Sequence, residues 1–264
     1  DGDSSNESNV YMRRYDAAGN PLSGETLVNQ TISMDQSIST VAIDEATGNY
    51  LITWTSESAT SWDIMARRYD AAGNPLSGEF QINSSAVDFG FVSNAAIDMA
   101  GNLVVTWTGV DDDGWGIFAR RFGWNETPFG AEYQVNSAAS GTQILSYIGM
   151  DPTTGDHVIT WSSFGQDNDS ASEGNVYAQR YDGMGNPVGG EFLVNSHTAG
   201  TQWVGGVSMA PGGDFVITWQ SDGQDGSGDG VYAQRFAADG TPEGAEFRVN
   251  STTSGDQEAP TVAM

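Results

Sequence analysis

Short apolar stretches with strand-like alternation recur along the chain. In residues 215–219, FVITW, larger apolar side chains occupy alternate positions and Val and Thr stand between them. Each stretch is rich in Val, Ile, Thr and aromatic residues, and Gly, Asn, Asp or Pro follows it. This pattern predicts short β-strands that are joined by tight hairpins.

The stretches repeat with a period near 54 residues. A VYAQRF-like block begins at residues 10, 64, 117, 176 and 231, so the steps are 54, 53, 59 and 55 residues. A second block ends in Asn29, Asn83, Asn136, Asn195 or Asn250. Two further blocks follow, and the last of them carries Trp54, Trp107, Trp161 or Trp219. Two hairpins therefore make one four-stranded antiparallel unit.

A single unit of this kind cannot bury itself, because both of its faces carry apolar side chains. Radial stacking around a channel covers both faces and leaves only short protected edges. The repeat therefore predicts an all-β fold, a β-propeller with four-stranded antiparallel blades, although a linear stack or a string of sandwiches would also bury part of this surface. We expect residues 1–264 to form one repeat domain of about five blades.

The fifth blade is incomplete in this sequence. The chain holds five VYAQRF-like hairpins but four Trp-bearing blocks, and residues 261–264 align with the block that precedes the Trp block. If the ring closes, the N-terminal hairpin and the C-terminal segment share this blade, and one strand is absent. That strand would come from further chain, from a neighbouring molecule or from nowhere. Because an unpaired edge is a template for strand addition, self-association is one hypothesis.

The amino-acid composition excludes several classes of binding partner and chemistry. The net charge is −26, from 35 acidic and 9 basic residues, and all of the basic residues are Arg. Nucleic acid and anionic membrane are excluded as partners, because both require clustered cations. The absence of Cys excludes disulfides and thiolate chemistry. No apolar run approaches the roughly 18 residues of a membrane span, so we expect no membrane insertion.

Three blocks carry a resemblance to known proteins: VYAQRF at 231–236, GAEFRVN at 244–250 and GDFVITW at 213–219. They resemble tandem repeats of long secreted bacterial surface proteins, which often also contain RTX-type calcium-binding or cadherin-like modules. The resemblance implies an extracellular propeller of a surface layer, matrix, filament or adhesion protein, with no catalytic residue of the family. The RTX nonapeptide GGxGxD is absent, so its calcium sites cannot be transferred to this chain.

Acidic loops precede the VYAQRF-like blocks and are candidate calcium sites. Carboxylates at small spacings on Gly-rich loops are the hard oxygen donors that Ca²⁺ prefers. The alternative is a set of solvated loops that keep the protein soluble. The candidate ligands are Asp222, Asp225, Asp229, Asp167, Asp169 and Glu173.

Four Trp residues break the repeat and are candidate ligand-binding residues: Trp203, Trp62, Trp115 and Trp124. Trp rings on variable loops can stack on sugar rings or anchor a protein contact. Equally, they can pack over the end of a blade.

A recurring Arg and a recurring Glu are assigned to structure. Because they stand on adjacent strands, we expect one cross-strand Arg–Glu pair in each blade. The Arg residues are Arg14, Arg68, Arg121, Arg180 and Arg235, and the Glu residues are Glu25, Glu79, Glu132, Glu191 and Glu246.

The sequence predicts a non-enzymatic structural or adhesive module. His157 and His197 lie near no Gly-x-Ser-x-Gly motif, and among so many Asp residues a carboxylate pair carries no information. The expected partners are further copies of the chain or other surface-matrix proteins, and calcium is the expected cofactor. The alternatives are a lectin-like propeller that binds glycans and, after it, a glycosidase.

Overall fold

The computed structural model describes residues 7–84, 93–112, 114–138, 140–166 and 173–264, and every regular element in them is a β-strand. No helix in this described part has the length and apolar character to span a membrane. In chain order, the strands β1 to β18 are Tyr11–Met12, Thr26–Leu27, Gln36–Ile43, Tyr50–Glu57, Trp62–Tyr69, Phe80–Gln81, Asn94–Ile97, Leu103–Val110, Trp115–Phe122, Tyr133–Gln134, Thr142–Met150, His157–Phe164, Gly174–Tyr181, Phe192–Leu193, Gln202–Met209, Phe215–Asp222, Asp229–Phe236 and Phe247–Arg248.

The strands form four antiparallel four-stranded sheets and one two-stranded sheet. The complete sheets are β3–β6, β7–β10, β11–β14 and β15–β18, and β1 pairs with β2. In each complete sheet, consecutive strands are neighbours. We name the four positions the inner strand, the Trp strand, the third strand and the outer strand; β1 and β2 have the positions of a third and an outer strand.

The inner strands converge on a common channel. Side chains of β3, β7, β11 and β15, including Val41, Ala95, Ile148 and Val207, line one cavity of about 370 Å³. Successive sheets therefore surround one axis as blades, and the predicted all-β propeller is confirmed.

The C-terminal segment stands where the inner strand of a fifth blade would be. The backbone N–H of Met264 donates to Ser208 Oγ at 3.0 Å, beside the inner strand β15. Ala259 has a φ of 53°, and Ile38 and Leu145, which occupy the same repeat position in β3 and β11, have φ values of 50° and 62°. The segment therefore keeps the backbone geometry of an inner strand without pairing as one.

Each blade is buried by its neighbour, as the repeat predicts. The framework Trp residues are 2% exposed or less. Leu51 and Ile64 of the first complete blade share a core cluster with Leu103, Trp107 and Phe122 of the next. Full burial of one large apolar side chain contributes about 1.5–3 kcal/mol, so the inter-blade faces are a main source of stability.

The recurring Asn is a structural residue in all five copies. Its Oδ1 accepts the backbone N–H at the start of the third strand, at 2.7 to 2.9 Å. Through this bond, the side chain of one residue anchors the turn that follows the outer strand to the third strand.

The predicted Arg–Glu pair within each blade is wrong, because these side chains connect neighbouring blades. Glu79, Glu132, Glu191 and Glu246 each accept the backbone N–H that follows the Asn of the preceding blade, at 2.6 to 2.7 Å. Arg14, Arg121 and Arg180 donate to turn carbonyls of the following blade. Arg68 instead binds Glu126 at 2.8 Å, across the same kind of boundary. The polar repeat therefore holds blades together rather than strands.

Candidate functional site

A cavity opens at the end of the propeller where the inner strands begin. It encloses about 390 Å³, within the roughly 300–1,000 Å³ that is typical of small-molecule sites. Trp203 and Tyr147 line it as half-buried aromatic rings, and the C-terminal segment closes one side with Pro260. We call it the Trp203 cavity.

Local backbone features shape the Trp203 cavity. The inner strand β15 has a bulge between Val204 and Gly206, and β11 has one between Ile144 and Tyr147. A bulge bends a strand and redirects its side chains, and bulges are frequent beside functional sites. A Cβ on Gly205 would lie 2.4 Å from Pro260 Cγ, so only Gly lets the C-terminal segment approach this closely.

The ring of Trp203 is held from one side. The ring of Phe164 lies 4.9 Å from it, centroid to centroid, at an interplanar angle of 56°. This contact fixes the orientation of the indole, which lines the cavity. A ring that is fixed in advance loses little conformational freedom when a ligand stacks on it.

The polar side of the cavity leads to a carboxylate with a perturbed pKa. Gln220 lines the cavity, and its Nε2 donates to Asp229 Oδ2 at 3.0 Å. Burial raises the pKa of the Asp229 carboxyl, and the negative charges of Asp222, Asp256 and Glu258 raise it further. Perturbed pKa values cluster at functional sites, so the raised pKa of Asp229 supports a functional site at this end of the propeller.

The four predicted Trp residues do not come together. Trp203 alone lines this cavity. Trp62 and Trp124 pack against the core cluster between the first two complete blades, and the guanidinium of Arg68 lies 5.0 Å from the Trp124 ring. Trp115 is half-buried at the start of β9. Trp62 and Trp124 therefore pack over the blade ends, which was the alternative to ligand binding.

Two residues of the cavity escaped the sequence analysis. Tyr147 stands where other copies have Thr40, Asn94, Gly206 or Thr261, and Gln220 stands where they have Thr55, Thr108 or Ser162. Both break the repeat as Trp203 does. A comparison of every repeat position, rather than of the loops alone, would have found them.

The predicted metal ligands are only partly described. Asp167 and Asp169 lie outside the described residues, and Glu173 is half-buried just before β13. Within the described part of the chain, no group of three or more acidic or His side chains has the arrangement to hold a metal ion. One observation keeps calcium as a prediction for the loop at 222–229: Asp225 Oδ2 is buried and accepts no hydrogen bond.

Calcium binding by this loop would stabilise the fold. At a concentration a hundredfold above Kd, a ligand that binds only the folded state contributes about 2.7 kcal/mol, so we expect Tm to rise by roughly 5–10 °C. Differential scanning calorimetry with Ca²⁺, with Mg²⁺ and with EDTA measures this shift. The double variant Asp225→Asn/Asp229→Asn should lose the response, and Glu243→Gln, on an exposed turn, should keep it. If Ca²⁺ leaves the Tm unchanged, the predicted calcium site is wrong.

The side chains at the opposite end of the channel are mainly aliphatic. Val41, Ile148, Val207 and Met264 line it, and Glu45 is the one carboxylate among its described lining residues. Of the two ends, the one that holds the Trp203 cavity is therefore the one lined by aromatic rings.

Comparisons with known proteins identify the fold. No protein-family model matches the sequence, and no curated protein is similar to it. A protein of unknown function from Dyadobacter fermentans has a similar structure, with a TM-score of 0.53 and 10% identity, over 81% of this chain and 68% of that one. A thermostable family-43 glycoside hydrolase gives a TM-score of 0.45 and 12% identity, over 83% and 73%. An endo-arabinase from Bacteroides thetaiotaomicron gives 0.39 and 15%, over 86% and 78%.

These matches correct one prediction. The sequence predicts that the chain is not an enzyme and keeps a glycosidase as the last alternative, whereas several solved structures with a similar fold are glycoside hydrolases. The prediction that the chain is not an enzyme is therefore contradicted. At 10% identity, the match to the Dyadobacter fermentans protein shows similarity of fold alone.

Proposed function

We propose that the protein binds a carbohydrate in the Trp203 cavity. The observation that carries this proposal is the pair of half-buried rings, Trp203 and Tyr147, which line one cavity beside the amide of Gln220. The apolar faces of sugar rings pack on aromatic rings, and their hydroxyls require nearby donors and acceptors. The cavity offers both kinds of surface.

Charge favours a neutral glycan. The chain carries a net charge of −26, and Asp229, which binds Gln220, lies within the electrostatic reach of Asp222 and Glu258. A glycan with carboxylate or sulfate groups would be repelled as it approached. We therefore expect uncharged oligosaccharides to bind in preference to uronic-acid or sulfated ones.

Replacement of Trp203 tests the site. In isothermal titration with a panel of neutral oligosaccharides, we expect saturable binding that Trp203→Ala weakens at least tenfold, because loss of about 1.4 kcal/mol changes Kd by a factor of ten. Trp203→Phe should retain most of the affinity, since a ring remains. Tyr15→Ala removes an aromatic ring that is 55% exposed and outside the cavity, and should bind as the unmodified protein does.

The same titration separates binding from catalysis. New reducing ends during prolonged incubation would mean hydrolysis, and intact glycan at the end would mean binding alone. Hydrolysis is the alternative to test, because the pKa of Asp229 is shifted upwards, the direction that a general acid requires. Saturable binding that is unchanged by Trp203→Ala, or no binding to any glycan, would reject the proposal.

The wider biological role stays a prediction. A glycan-binding propeller would suit an adhesive module of a secreted bacterial surface or matrix protein, which is the setting that the repeat resemblance implies. Secretion is tested separately, by locating the full-length protein in fractionated cells of its source.

A further inference from the structure

A second cavity lies at the rim of the propeller, between the outer strand β10 and the third strand β13 of the next blade. It encloses about 490 Å³, a size that is typical of small-molecule sites. Tyr133 and Val135 line it from one blade, and Gln179, Tyr181 and Glu191 line it from the next. We call it the Gln179 cavity. Its lining residues are distinct from those of the Trp203 cavity.

Three of the five repeats carry an Arg where this cavity has Gln. Arg120 shows what that Arg does. Its Nη1 donates to Ile82 O of the preceding blade at 2.8 Å, and its Nε donates to Gly130 O of its own blade at 3.3 Å. Its Cζ lies 5.3 Å from the centroid of the Phe122 ring. Arg67 makes the same three contacts one blade earlier, so two carbonyls and an aromatic ring hold one guanidinium at each of these boundaries.

Gln179 is too short to make the contact across the boundary. Its Nε2 donates to carbonyls of its own blade, including Gly189 O at 3.4 Å. Val135 O corresponds to the acceptor in the preceding blade, and no Arg of the described residues donates to it. The Tyr181 ring corresponds to the ring under the guanidinium. The Gln179 cavity therefore keeps the acceptor and the ring that hold an Arg side chain in two other blades.

Two further groups make the cavity a site for a hydrogen-bond donor with positive charge. The hydroxyl oxygen of Tyr133 is buried and makes no hydrogen bond within the described part of the chain. Burial raises the pKa of the Tyr181 hydroxyl, and the negative charge of Glu191 raises it further, so this carboxylate acts on the space that the Tyr181 ring lines. The other complete blades have Phe at the position of Tyr133: Phe80, Phe192 and Phe247.

The positive charge of Arg121 lies within electrostatic reach of Tyr133 and does not exclude a second guanidinium. Both Nη atoms of Arg121 donate to turn carbonyls of the following blade. Arg14 makes the same bonds at the boundary that also holds Arg67. Two guanidinium groups therefore share one boundary elsewhere in this fold.

The lining chemistry selects the class of ligand. Glu191 and the net charge of −26 repel anions. An ammonium group is compact and strongly hydrated, whereas the planar guanidinium is more weakly hydrated, stacks on aromatic rings and donates to several acceptors at once. Gly189 and Gly190 on the wall of the cavity are exposed, so a ligand can enter from solvent.

We propose that the Gln179 cavity binds a guanidinium cation, supplied by an arginine side chain of another polypeptide or by a small molecule with the same group. The guanidinium would lie against the Tyr181 ring and donate to Val135 O and to the Tyr133 hydroxyl oxygen. At this boundary the ligand would make the contact that Arg67 and Arg120 make within the chain. The site does not depend on glycan binding in the Trp203 cavity.

Capped arginine tests the site. In isothermal titration we expect N-acetyl-arginine methylamide to bind saturably, and in NMR spectra we expect it to shift the ring signals of Tyr133 and Tyr181. The lysine counterpart should bind about tenfold more weakly or worse, and the citrulline counterpart, which is similar in shape and uncharged, should not bind. The proposal is overturned if the arginine compound does not bind, if either counterpart binds as tightly, or if the two ring signals do not shift.

The repeat provides a matched pair of variants. Gln179→Arg places in the cavity the side chain that three other repeats carry, so the protein should fold with an equal or higher Tm while the affinity falls about tenfold or more. Gln234→Arg makes the same change one blade later, where the rings are Phe192 and Phe236, and should leave the affinity unchanged. Binding that survives Gln179→Arg, or that Gln234→Arg weakens equally, overturns the proposal.

Tyr133→Phe isolates the unpaired hydroxyl. Because Phe stands at this position in the other complete blades, the fold should persist. Loss of one hydrogen bond should weaken the binding of the capped arginine about threefold to tenfold. An unchanged affinity overturns the proposal.

Two probes distinguish the sources of the guanidinium. Agmatine presents the group on a free small molecule, and the peptide GGRGG presents it on a polypeptide. Tighter binding of agmatine would identify a small-molecule ligand, and tighter binding of the peptide would identify a polypeptide; both results support the guanidinium site. Trp203→Ala should change neither affinity, so failure of this site and failure of glycan binding are separate results.

Discussion

Replacing His157 with Phe should make the protein markedly more resistant to acid. His157 is buried, and its pKa is lowered to about 4 because burial disfavours the charged ring. The folded state therefore excludes a proton that the unfolded chain binds near pH 6.5. This contribution to stability is complete above pH 6.5 and is lost as the pH falls towards 4. From the 1.36 kcal/mol per pKa unit, the loss is about 2 kcal/mol at pH 5 and about 3 kcal/mol below pH 4.

Other copies of the repeat show which residue can replace His157. Tyr50 and Phe215 hold the same position in other blades, where they stack on Tyr69 and Phe236, as His157 stacks on Tyr181 at 5.1 Å. His157→Phe should therefore fold normally and differ little in stability at pH 7.5. Urea unfolding at pH 7.5, 6 and 5 measures the difference in free energy, and all three values lie above the pI of about 4.1. The reciprocal variant Phe215→His should acquire acid sensitivity; a constant difference across pH would contradict this account.

Period and turn chemistry predicted the architecture of the blades. Gly19 and Gly73 adopt φ values of 80° and 87° in the turns that their sequence pattern predicts, and Asp16 and Asp70 accept hydrogen bonds from Asn20 and Asn74 there. The four framework Trp residues are buried as expected. These features are local or strictly periodic, so the pattern of one copy of the repeat predicts the same feature in the other copies.

Contacts between blades were harder to predict. Glu79 and Gln30 are 49 residues apart in sequence and still form a hydrogen bond, whereas the Arg on the neighbouring strand of the same blade was the expected partner. Adjacent strands and adjacent blades both place an Arg near a Glu, and periodicity alone cannot distinguish them. The Trp203 cavity was hard to predict for the same reason, because it forms between two blades and the C-terminal segment. Only the closed ring brings Tyr147, Trp203 and Pro260 together.

The recurring Asn provides the second prediction with a large effect. Asn136 is 5% exposed, and its side chain makes three hydrogen bonds. It accepts from the Ile117 amide at 2.8 Å and donates to Ala138 O and Gln143 Oε1, both at 2.9 Å. Asn136→Ala would leave the amide of Ile117 and the Oε1 of Gln143 buried without partners, each at a cost of about 1–3 kcal/mol. We expect the free energy of unfolding to fall by about 3 kcal/mol or more.

Asn250 is the matched control, because it makes the same contacts in a wetter environment. It accepts from the Val231 amide at 2.8 Å and donates to Gln257 Oε1 at 2.7 Å, but Asn250, Val231 and Gln257 are all partly exposed. Water can replace the lost partner there, so Asn250→Ala should cost about 1 kcal/mol. Chemical denaturation of the two variants measures the contrast. Equal losses would mean that burial does not set the cost of these bonds, and that the Asn acts through the turn geometry that both sites share.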